Sequence, residues 1–419
     1  MAFPTLSTPG SVQQHIAAAM AHVRERDQAL HAFIELDEPG AMQRARALDG
    51  LPQSGHGRLH GMPVAIKEVI DVAGRLCAWG SPLHAGRRPA DDAPLVRRLI
   101  DAGAVPIGIT ASTEYALAAA AATVHPRDAR RSPGASSSGS AAAVGAGMVP
   151  VALGTQTIGS IIRPAAYCGV VGFKPSYGRY PTDGMLCLSK QLDHAGVLAA
   201  SVAHVIAVDP ILAGDDRTAS IEQTPRLRVV RPWFEETMAE AVSVALDTFH
   251  ESLRRAGFGL DELVIDADVA AAEAALTDTL LTFELARRHG ATLHGAPDKV
   301  SAELRAMLAR GEAVSESRFG EAVAQQAAFS GRLDAMLGPG EFALAPATVG
   351  LAPLLAEGSG SRAPQRLWTL AGMPAITLPV GEHGGLPVGV QLIGRIGEDA
   401  ALLRAAARIE AVVNGRADV

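Results

Sequence analysis

Three side chains together could transfer an acyl group: Lys67, a serine of the run 136–138, and Ser160. A serine hydroxyl becomes an effective nucleophile only when a neighbouring base accepts its proton. A lysine is such a base only when it is neutral, which requires burial or nearby positive charge. Lys67 lies in the apolar run PVAIKEVI at 63–70, which is typical of a buried strand. Taken alone, pairing of Lys67 with Glu68, or extension of its side chain to the surface, is the more common outcome.

Both serines lie in one uncharged stretch. From Ser132 through Ile162 the sequence has no charged residue and no histidine. A run of that length could span a bilayer, but Pro133, Pro150 and its glycines are incompatible with an unbroken apolar helix in lipid. The composition instead predicts a loop, a helix of small residues, a strand, and a second turn at Gly159-Ser160. Two serine turns joined in this way can bring two hydroxyl groups to one point.

Other catalytic and metal-binding motifs are missing from the sequence. It has no GxxxxGK[ST] loop, no GxSxG turn, no HExxH pair and no EF-hand loop. His56 and His60 are four residues apart, but the glycines around them argue against a helix that would present both to a metal ion. We therefore predict no metal site and no cofactor. A Ser-His-Asp triad stays open, although no histidine lies between His125 and His194.

The composition is that of a folded enzyme-sized chain. It has 419 residues, 48% of them apolar, and a net charge of -7. A negative chain without a block of basic residues is a poor partner for nucleic acid or an anionic membrane. The N-terminus shows no signal-peptide pattern, and three scattered cysteines give no disulfide framework. We expect a cytoplasmic, reduced protein, with a homodimer as the assembly to consider.

Periodicity predicts an α/β architecture. Helices are predicted at 11–28, 39–48, 92–102, 201–213, 234–256 and 398–412, and the patch 118–122 is interpreted as a packed turn of helix. Strands are predicted at 63–70, 104–109, 226–232, 262–267, 342–346, 375–380 and 388–394. The segment 268–337 has helical patterns throughout and is expected to cover the sheet. No repeat or interdomain linker divides the chain, so residues 1–419 are expected to form one domain.

Long stretches of sequence resemble the amidase signature family. They are GMPVAIKEVID, SPGASSSGSAAAVGAGMVPVALGTQTIGSIIRPAAYCGVVGFKP and LPVGVQLIGR. The short chain and the variant GTQTIGSIIRPAAYCG are most similar to the malonamidase-type members. The resemblance implies a single α/β domain with a central mixed sheet between helical layers. Its signature core would span about 60–215 and 340–412, with a helical covering segment at about 234–337.

The resemblance also implies an amide-bond hydrolase with a Ser-cisSer-Lys triad. Ser160 would be the nucleophile, Ser136 the middle serine after a cis peptide bond, and Lys67 the base. An acyl-enzyme would form on Ser160 from a small-molecule amide, including amides that carry a carboxylate. The backbone N–H groups of the turn Thr157, Ile158 and Gly159 would form the oxyanion hole, as the resemblance places them.

The sequence departs from the family pattern at several positions near these residues. Ala135 and Ile158 stand where the family usually has glycine, and Ile109 where it often has lysine. His194 replaces a frequent threonine, and Glu68 a usual aspartate. No member of the triad is lost. We expect these changes to affect substrate choice and catalytic efficiency more than the type of reaction.

Arg163 has two interpretations. In malonamidase-like members the matching arginine contacts the substrate carboxylate, and a guanidinium can bind such an anion through two hydrogen bonds. Alternatively, Arg163 holds its loop to a neighbouring carboxylate. Two other functions also stay open for the chain. The first alternative to an amidase is a catalytically silent relative that binds a ligand or partner, motivated by Ala135 and Ile158. The second is the amidase subunit of a tRNA amidotransferase.

Overall fold

One mixed sheet of eleven strands organises the computed structural model, which describes residues 10–215 and 225–415. In chain order the strands are β1 (Phe33–Leu36), β2 (Pro63–Lys67), β3 (Val105–Thr110), β4 (Val151–Gln156), β5 (Val171–Lys174), β6 (His194–Ala199), β7 (Arg226–Val230), β8 (Leu260–Leu263), β9 (Glu341–Pro346), β10 (Ala375–His383) and β11 (Leu386–Ile393). Their spatial order is β1-β3-β2-β4-β6-β5-β10-β11-β9-β7-β8.

Twelve α-helices accompany the sheet among the described residues. They are α1 (Val12–Leu30), α2 (Glu38–Asp49), α3 (Pro94–Asp101), α4 (Ser138–Gly145), α5 (Ile162–Cys168), α6 (Val202–Ala213), α7 (Glu240–Arg255), α8 (Ala267–His294), α9 (Ala302–Glu312), α10 (Glu316–Ala335), α11 (Ala363–Leu370) and α12 (Asp399–Val413). No helix in the described part of the chain is long and apolar enough to cross a membrane.

The sheet is parallel at two places and antiparallel between them. Strand β2 pairs in parallel with β3 and β4, and β7 pairs in parallel with β8 and β9. The central strands β4, β6, β5, β10, β11 and β9 pair antiparallel in that order. The predicted mixed sheet is therefore confirmed.

Helices cover both faces of the sheet, as predicted. Val64 and Ile66 of β2 belong to the larger hydrophobic cluster, while Ala65 between them belongs to the smaller one. This alternation is the two-residue period of a strand with both faces buried. Because β2 is covered on both sides, its last residue, Lys67, ends inside the protein.

Most predicted elements are present, with shifted ends. The small-residue helix and strand of the serine stretch correspond to α4 and β4, and the predicted strand at 262–267 lies instead at Leu260–Leu263. The interpretation of 118–122 as a turn of helix was wrong, since this alanine-rich patch is irregular. Strands β1, β5 and β6 and helices α5 and α11 had no counterpart in the prediction. They are short, and only packing distinguishes short apolar runs from one another.

Candidate active site

Lys67 lies at the carboxyl end of β2 and is completely buried. Its Nζ atom is 2.8 Å from the Ser136 Oγ, 3.1 Å from the Ser137 Oγ and 2.9 Å from the Thr155 Oγ1. It does not extend to the surface. Its neighbour Glu68 accepts backbone N–H groups of Gly80 and Ser112 and forms no ion pair with it. Pairing with Glu68 and extension to the surface, the two common outcomes for a lysine in an apolar strand, are thus both excluded.

The surroundings of Lys67 favour its neutral form. Burial lowers the pKa of Lys67 to about 7, because removing water penalises the ammonium, and the charges of Glu68 and Asp193 only partly oppose this. A neutral amine has two N–H donors and one lone pair, whereas an ammonium has only donors. A substantial fraction of Lys67 is therefore able to accept a proton near neutral pH.

Lys67 contacts the hydroxyl groups of Ser136 and Ser137, and only that of Ser136 is free to donate its proton to Lys67. The Ser137 hydroxyl donates to the carbonyl oxygen of Thr155 at 3.3 Å, so its proton is already bound. Ser136 lies just before α4, and the peptide bond between Ala135 and Ser136 is cis, as the resemblance implied. Within the described chain, the Ser136 hydroxyl has no hydrogen-bond partner other than Lys67. The geometry therefore suits transfer of the Ser136 proton to Lys67.

The turn that carries Ser160 is held from behind by a glutamine. The Gln156 Oε1 accepts the N–H groups of Ile161 at 2.8 Å and Ile162 at 3.0 Å, and its Nε2 donates to the Thr369 hydroxyl. That hydroxyl is 2.6 Å from the carbonyl oxygen of Ile158. These bonds fix the chain on both sides of Gly159 and Ser160, and they leave the inner side of the turn free.

A buried carboxylate fixes the other end of the turn. Asp193 accepts the Thr157 hydroxyl at 2.7 Å and the N–H groups of Leu188 and Ser189. Burial raises the pKa of Asp193 to about 6, against these hydrogen bonds. Over residues 10–215 and 225–415, the N–H groups of Thr157, Ile158 and Gly159 donate no hydrogen bond. They are thus available to a substrate oxygen.

The predicted catalytic residues share one open cavity. It has a volume of about 200 Å³ and is bordered by the serine loop, the turn and the alanine-rich patch. Ser136, Thr157, Ile158, Ser160 and Arg163 all line it. Every predicted site residue therefore lines this cavity except Lys67 and Gly159. Lys67 contacts Ser136 from behind, and Gly159 lies in the turn between Ile158 and Ser160. Ala118, Ala120 and Ala121 also line the cavity, a position that nothing in the sequence predicts.

Arg163 is buried in the cavity wall, and both of its terminal nitrogens are occupied. Nη1 donates to the carbonyl oxygen of Gly360 at 2.7 Å, and Nη2 donates to that of Ala135 at 2.7 Å. Burial lowers the pKa of Arg163 to about 10. No carboxylate of the described residues pairs with it. The guanidinium thus ties the loop that precedes Ser136 to the loop that precedes α11.

Replacement of Arg163 is expected to cost stability more than specificity. Arg163→Gln leaves two buried carbonyl groups without their charged donor, which should lower the free energy of unfolding by about 3 kcal/mol. Urea denaturation measures this, and Arg163→Lys should recover part of the loss. Hydrolysis of carboxylated and neutral amides should fall by the same factor. A loss confined to carboxylated amides would instead show that Arg163 binds the substrate anion.

His56 and His60, the histidine pair considered for metal binding, contact each other directly. Their rings stack at 3.6 Å, which is a packing contact. Burial and the neighbouring His56 lower the pKa of His60. The part of the chain that the structure describes contains no group of three or more residues arranged to hold a metal ion.

Several residues of the site were not predicted. Ser137 and Gln156 lie within the quoted motifs, and a search for hydrogen-bonding side chains beside the nucleophile would have selected them. Thr155 also lies within a quoted motif, on β4, whereas Asp193 lies in the loop before β6 and Thr369 in α11. Only the sheet order β2-β4-β6 and the docking of α11 bring them to the site.

Comparison with known proteins assigns the chain to a family. The Amidase family model matches residues 14–403. A glutamyl-tRNA(Gln) amidotransferase chain of Chloroflexus aurantiacus is 33% identical, with 92% of this chain and 90% of the relative covered. A crystal structure of an amidase superposes with a TM-score of 0.87 at 32% identity, covering 96% of each chain. The native peptide amidase from Stenotrophomonas maltophilia superposes with a TM-score of 0.84 at 28% identity, covering 99% of this chain and 98% of that one. The chain therefore belongs to the amidase family and is a hydrolase of amide C–N bonds.

Proposed function

We propose that Ser160 is the nucleophile of this amidase, Ser136 the proton relay and Lys67 the base. The observation that carries the proposal is the contact of 2.8 Å between the Lys67 Nζ and the Ser136 Oγ, in a buried site that favours a neutral lysine. The Ser160 hydroxyl lines the same cavity as that of Ser136.

The proposed reaction has two stages. In the first, the Ser160 Oγ attacks the amide carbon while its proton passes to Ser136 and the Ser136 proton passes to Lys67. The oxyanion is held by the N–H groups of the turn 157–159. The C–N bond breaks when the relay returns a proton to the leaving amine, which leaves an ester on Ser160. In the second stage the relay activates water, and the ester is hydrolysed to the free acid.

A serine-directed fluorophosphonate probe tests the assignment of Ser160. We expect stoichiometric labelling of the wild-type protein, with the modified peptide containing Ser160, and no labelling of Ser160→Ala. Ser138→Ala is a matched control, because Ser138 lines the same cavity but has no proposed role in proton transfer. Absence of labelling in a folded wild-type protein would favour the silent, ligand-binding alternative.

The amidotransferase alternative is supported by the similarity to chains of glutamyl-tRNA(Gln) amidotransferases. It requires a partner chain, whereas the proposed amidase acts without one. Amide hydrolysis by the purified single chain would support the amidase. Activity that appears only after co-purification with a second, different protein chain would favour the amidotransferase.

We also propose that the enzyme works as a cytoplasmic homodimer, without a nucleic-acid or membrane partner. The net charge of -7 supports the absence of such partners. Light scattering of the purified protein measures the assembly, and a monomer mass at working concentration would contradict the dimer.

A further inference from the structure

The catalytic cavity adjoins a second cavity. The second has a volume of about 270 Å³ and lies between the loop before α11 and the helices α8 and α9. Ile158, Glu303 and Arg362 line both cavities. These three residues therefore mark the junction, and a substrate that extends from the turn of Ser160 towards α8 and α9 would pass them.

Two arginines of the second cavity are neutralised by neighbouring carboxylates. Arg310 donates to Asp278 at 2.9 Å, and Arg366 donates to Glu273 at 2.8 Å. Each of these guanidinium groups already has an anionic partner inside the protein. Neither is a strong candidate for binding a charged substrate.

Arg362 differs from the other arginines of the two cavities. Its side chain forms no hydrogen bond and no ion pair with any residue of 10–215 or 225–415, although it is only partly exposed. Arg163, the arginine that the sequence suggested, is bonded to two carbonyl groups. All the donors of Arg362 are therefore free for a substrate anion, whereas Arg163 uses two of its donors on backbone carbonyl groups and keeps an unpartnered Nε.

Helix α11 fixes Arg362 relative to the catalytic turn. Arg362 directly precedes the helix, whose residue Thr369 bonds the carbonyl oxygen of Ile158. A Cβ atom on Gly159 would lie only 2.6 Å from the Gln365 Oε1, so the same helix packs tightly against the turn. A rigid helix of two turns thus connects the free guanidinium to the backbone beside Ser160.

Arg362 has charged neighbours of both signs at the junction, but none of them pairs with it. Glu303 is the carboxylate at the junction, and it is solvent-exposed and does not form an ion pair with Arg362. Burial and the nearby Arg366 lower the pKa of Arg362, while the charges of Glu303 and Asp278 partly oppose this. A bound carboxylate would stabilise the charged form through two parallel hydrogen bonds to the guanidinium.

We propose that Arg362 binds a carboxylate carried by the amide substrate and thereby determines substrate class. The proposal rests on the proposed function and assigns this contact to Arg362 in place of Arg163. The preferred substrates are then amides with a carboxylate on the arm that reaches the junction.

Paired substrates with equal numbers of carbon atoms test the assignment. Malonamate, succinamate and glutaramate would be compared with the neutral amides propionamide, butyramide and pentanamide. We expect the wild-type enzyme to have the higher kcat/KM for at least one carboxylated member. In Arg362→Gln this preference should fall by about 10- to 100-fold, the range for a hydrogen-bonded charge pair. Activity on the neutral amides should change little, and Arg362→Lys should retain part of the preference.

Two further variants make the test specific. Arg310→Gln removes the same charge from an arginine that is already paired, so it should keep the preference for carboxylated amides. Arg362→Glu should reverse the preference in favour of β-alaninamide, whose ammonium takes the place of the carboxylate. Equal loss on charged and neutral amides in Arg362→Gln, or a larger selective loss in Arg310→Gln, would overturn the proposal.

Different results would contradict the carboxylate-binding role of Arg362 and the catalytic role of Ser160. If the wild-type protein hydrolyses neutral amides but shows no preference for their carboxylated partners, the role of Arg362 is wrong and the catalytic assignment stands. If the wild-type protein hydrolyses neither series and is not labelled at Ser160, the proposed function itself is wrong. Thermal unfolding of each variant separates loss of a contact from loss of folded protein.

Discussion

Lys67→Ala should reduce kcat/KM on any accepted amide by at least two to three orders of magnitude. General acid-base catalysis contributes about 10²- to 10⁴-fold, and Lys67 is the only base within reach of Ser136 in the described structure. The variant leaves the hydroxyl groups of Ser136 and Ser160 in place. Steady-state kinetics with a neutral amide measures the effect, and a rate within a factor of ten of the wild type would contradict the role of Lys67.

The proposed role of Lys67 as the base also predicts how kcat/KM depends on pH. Lys67 must be neutral to accept a proton, and its pKa is lowered to about 7. The kcat/KM of the wild-type enzyme should therefore rise with pH through about 7 and level off above it. The residual activity of Lys67→Ala should lack this rise. A wild-type profile that falls with pH through 7 would mean that the ammonium is the active form.

Lys174 provides a matched control for this prediction. It is also completely buried, burial lowers its pKa to about 7, and it donates to backbone carbonyl groups of Pro175 and Met373. It does not line the catalytic cavity. Lys174→Met should lower thermal stability while the pH profile keeps its rise through 7. Loss of that rise in the Lys174 variant would mean that the profile reports a lysine outside the proposed triad.

The sequence predicted secondary structure best where a few neighbouring residues determine it. The strand at Lys67, the small-residue helix after Ser136 and the turn at Ser160 are each determined by composition over a few residues, and all three are present. The family resemblance supplied the cis bond at Ser136. Neither local composition nor the family resemblance requires knowledge of which distant segments pack together.

The residues that were missed depend on packing between distant segments. Asp193 reaches the turn because β6 pairs with β4, and Thr369 reaches it because α11 docks behind Ile158. The partners of Arg163 are backbone carbonyl groups, which have no sequence signature. The free state of Arg362 is likewise visible only when its surroundings are known. Predicting substrate contacts therefore required the tertiary structure, whereas predicting the reaction type did not.

Ile158→Gly should widen the range of accepted amides. Ile158 lines both cavities, so its side chain separates the space beside Ser160 from the space beside α8 and α9. Its carbonyl oxygen is held by the Thr369 hydroxyl, a bond that the substitution leaves in place. Removing the side chain should join the two cavities. A few methylene equivalents in such a pocket correspond to about 1–3 kcal/mol, or roughly 10- to 200-fold in kcat/KM.

The gain should depend on the size of the substrate. Cyclohexanecarboxamide should improve most relative to propionamide, because only the larger acyl group needs the space that Ile158 occupies. Glycine also makes the turn more flexible, which would lower the rate for both substrates. Ile158→Ala removes most of the side chain without that flexibility, so it should show the same change in the ratio with a smaller loss of rate. If both variants lower kcat/KM for the two amides by one common factor, Ile158 supports the turn from behind and does not limit the acyl pocket.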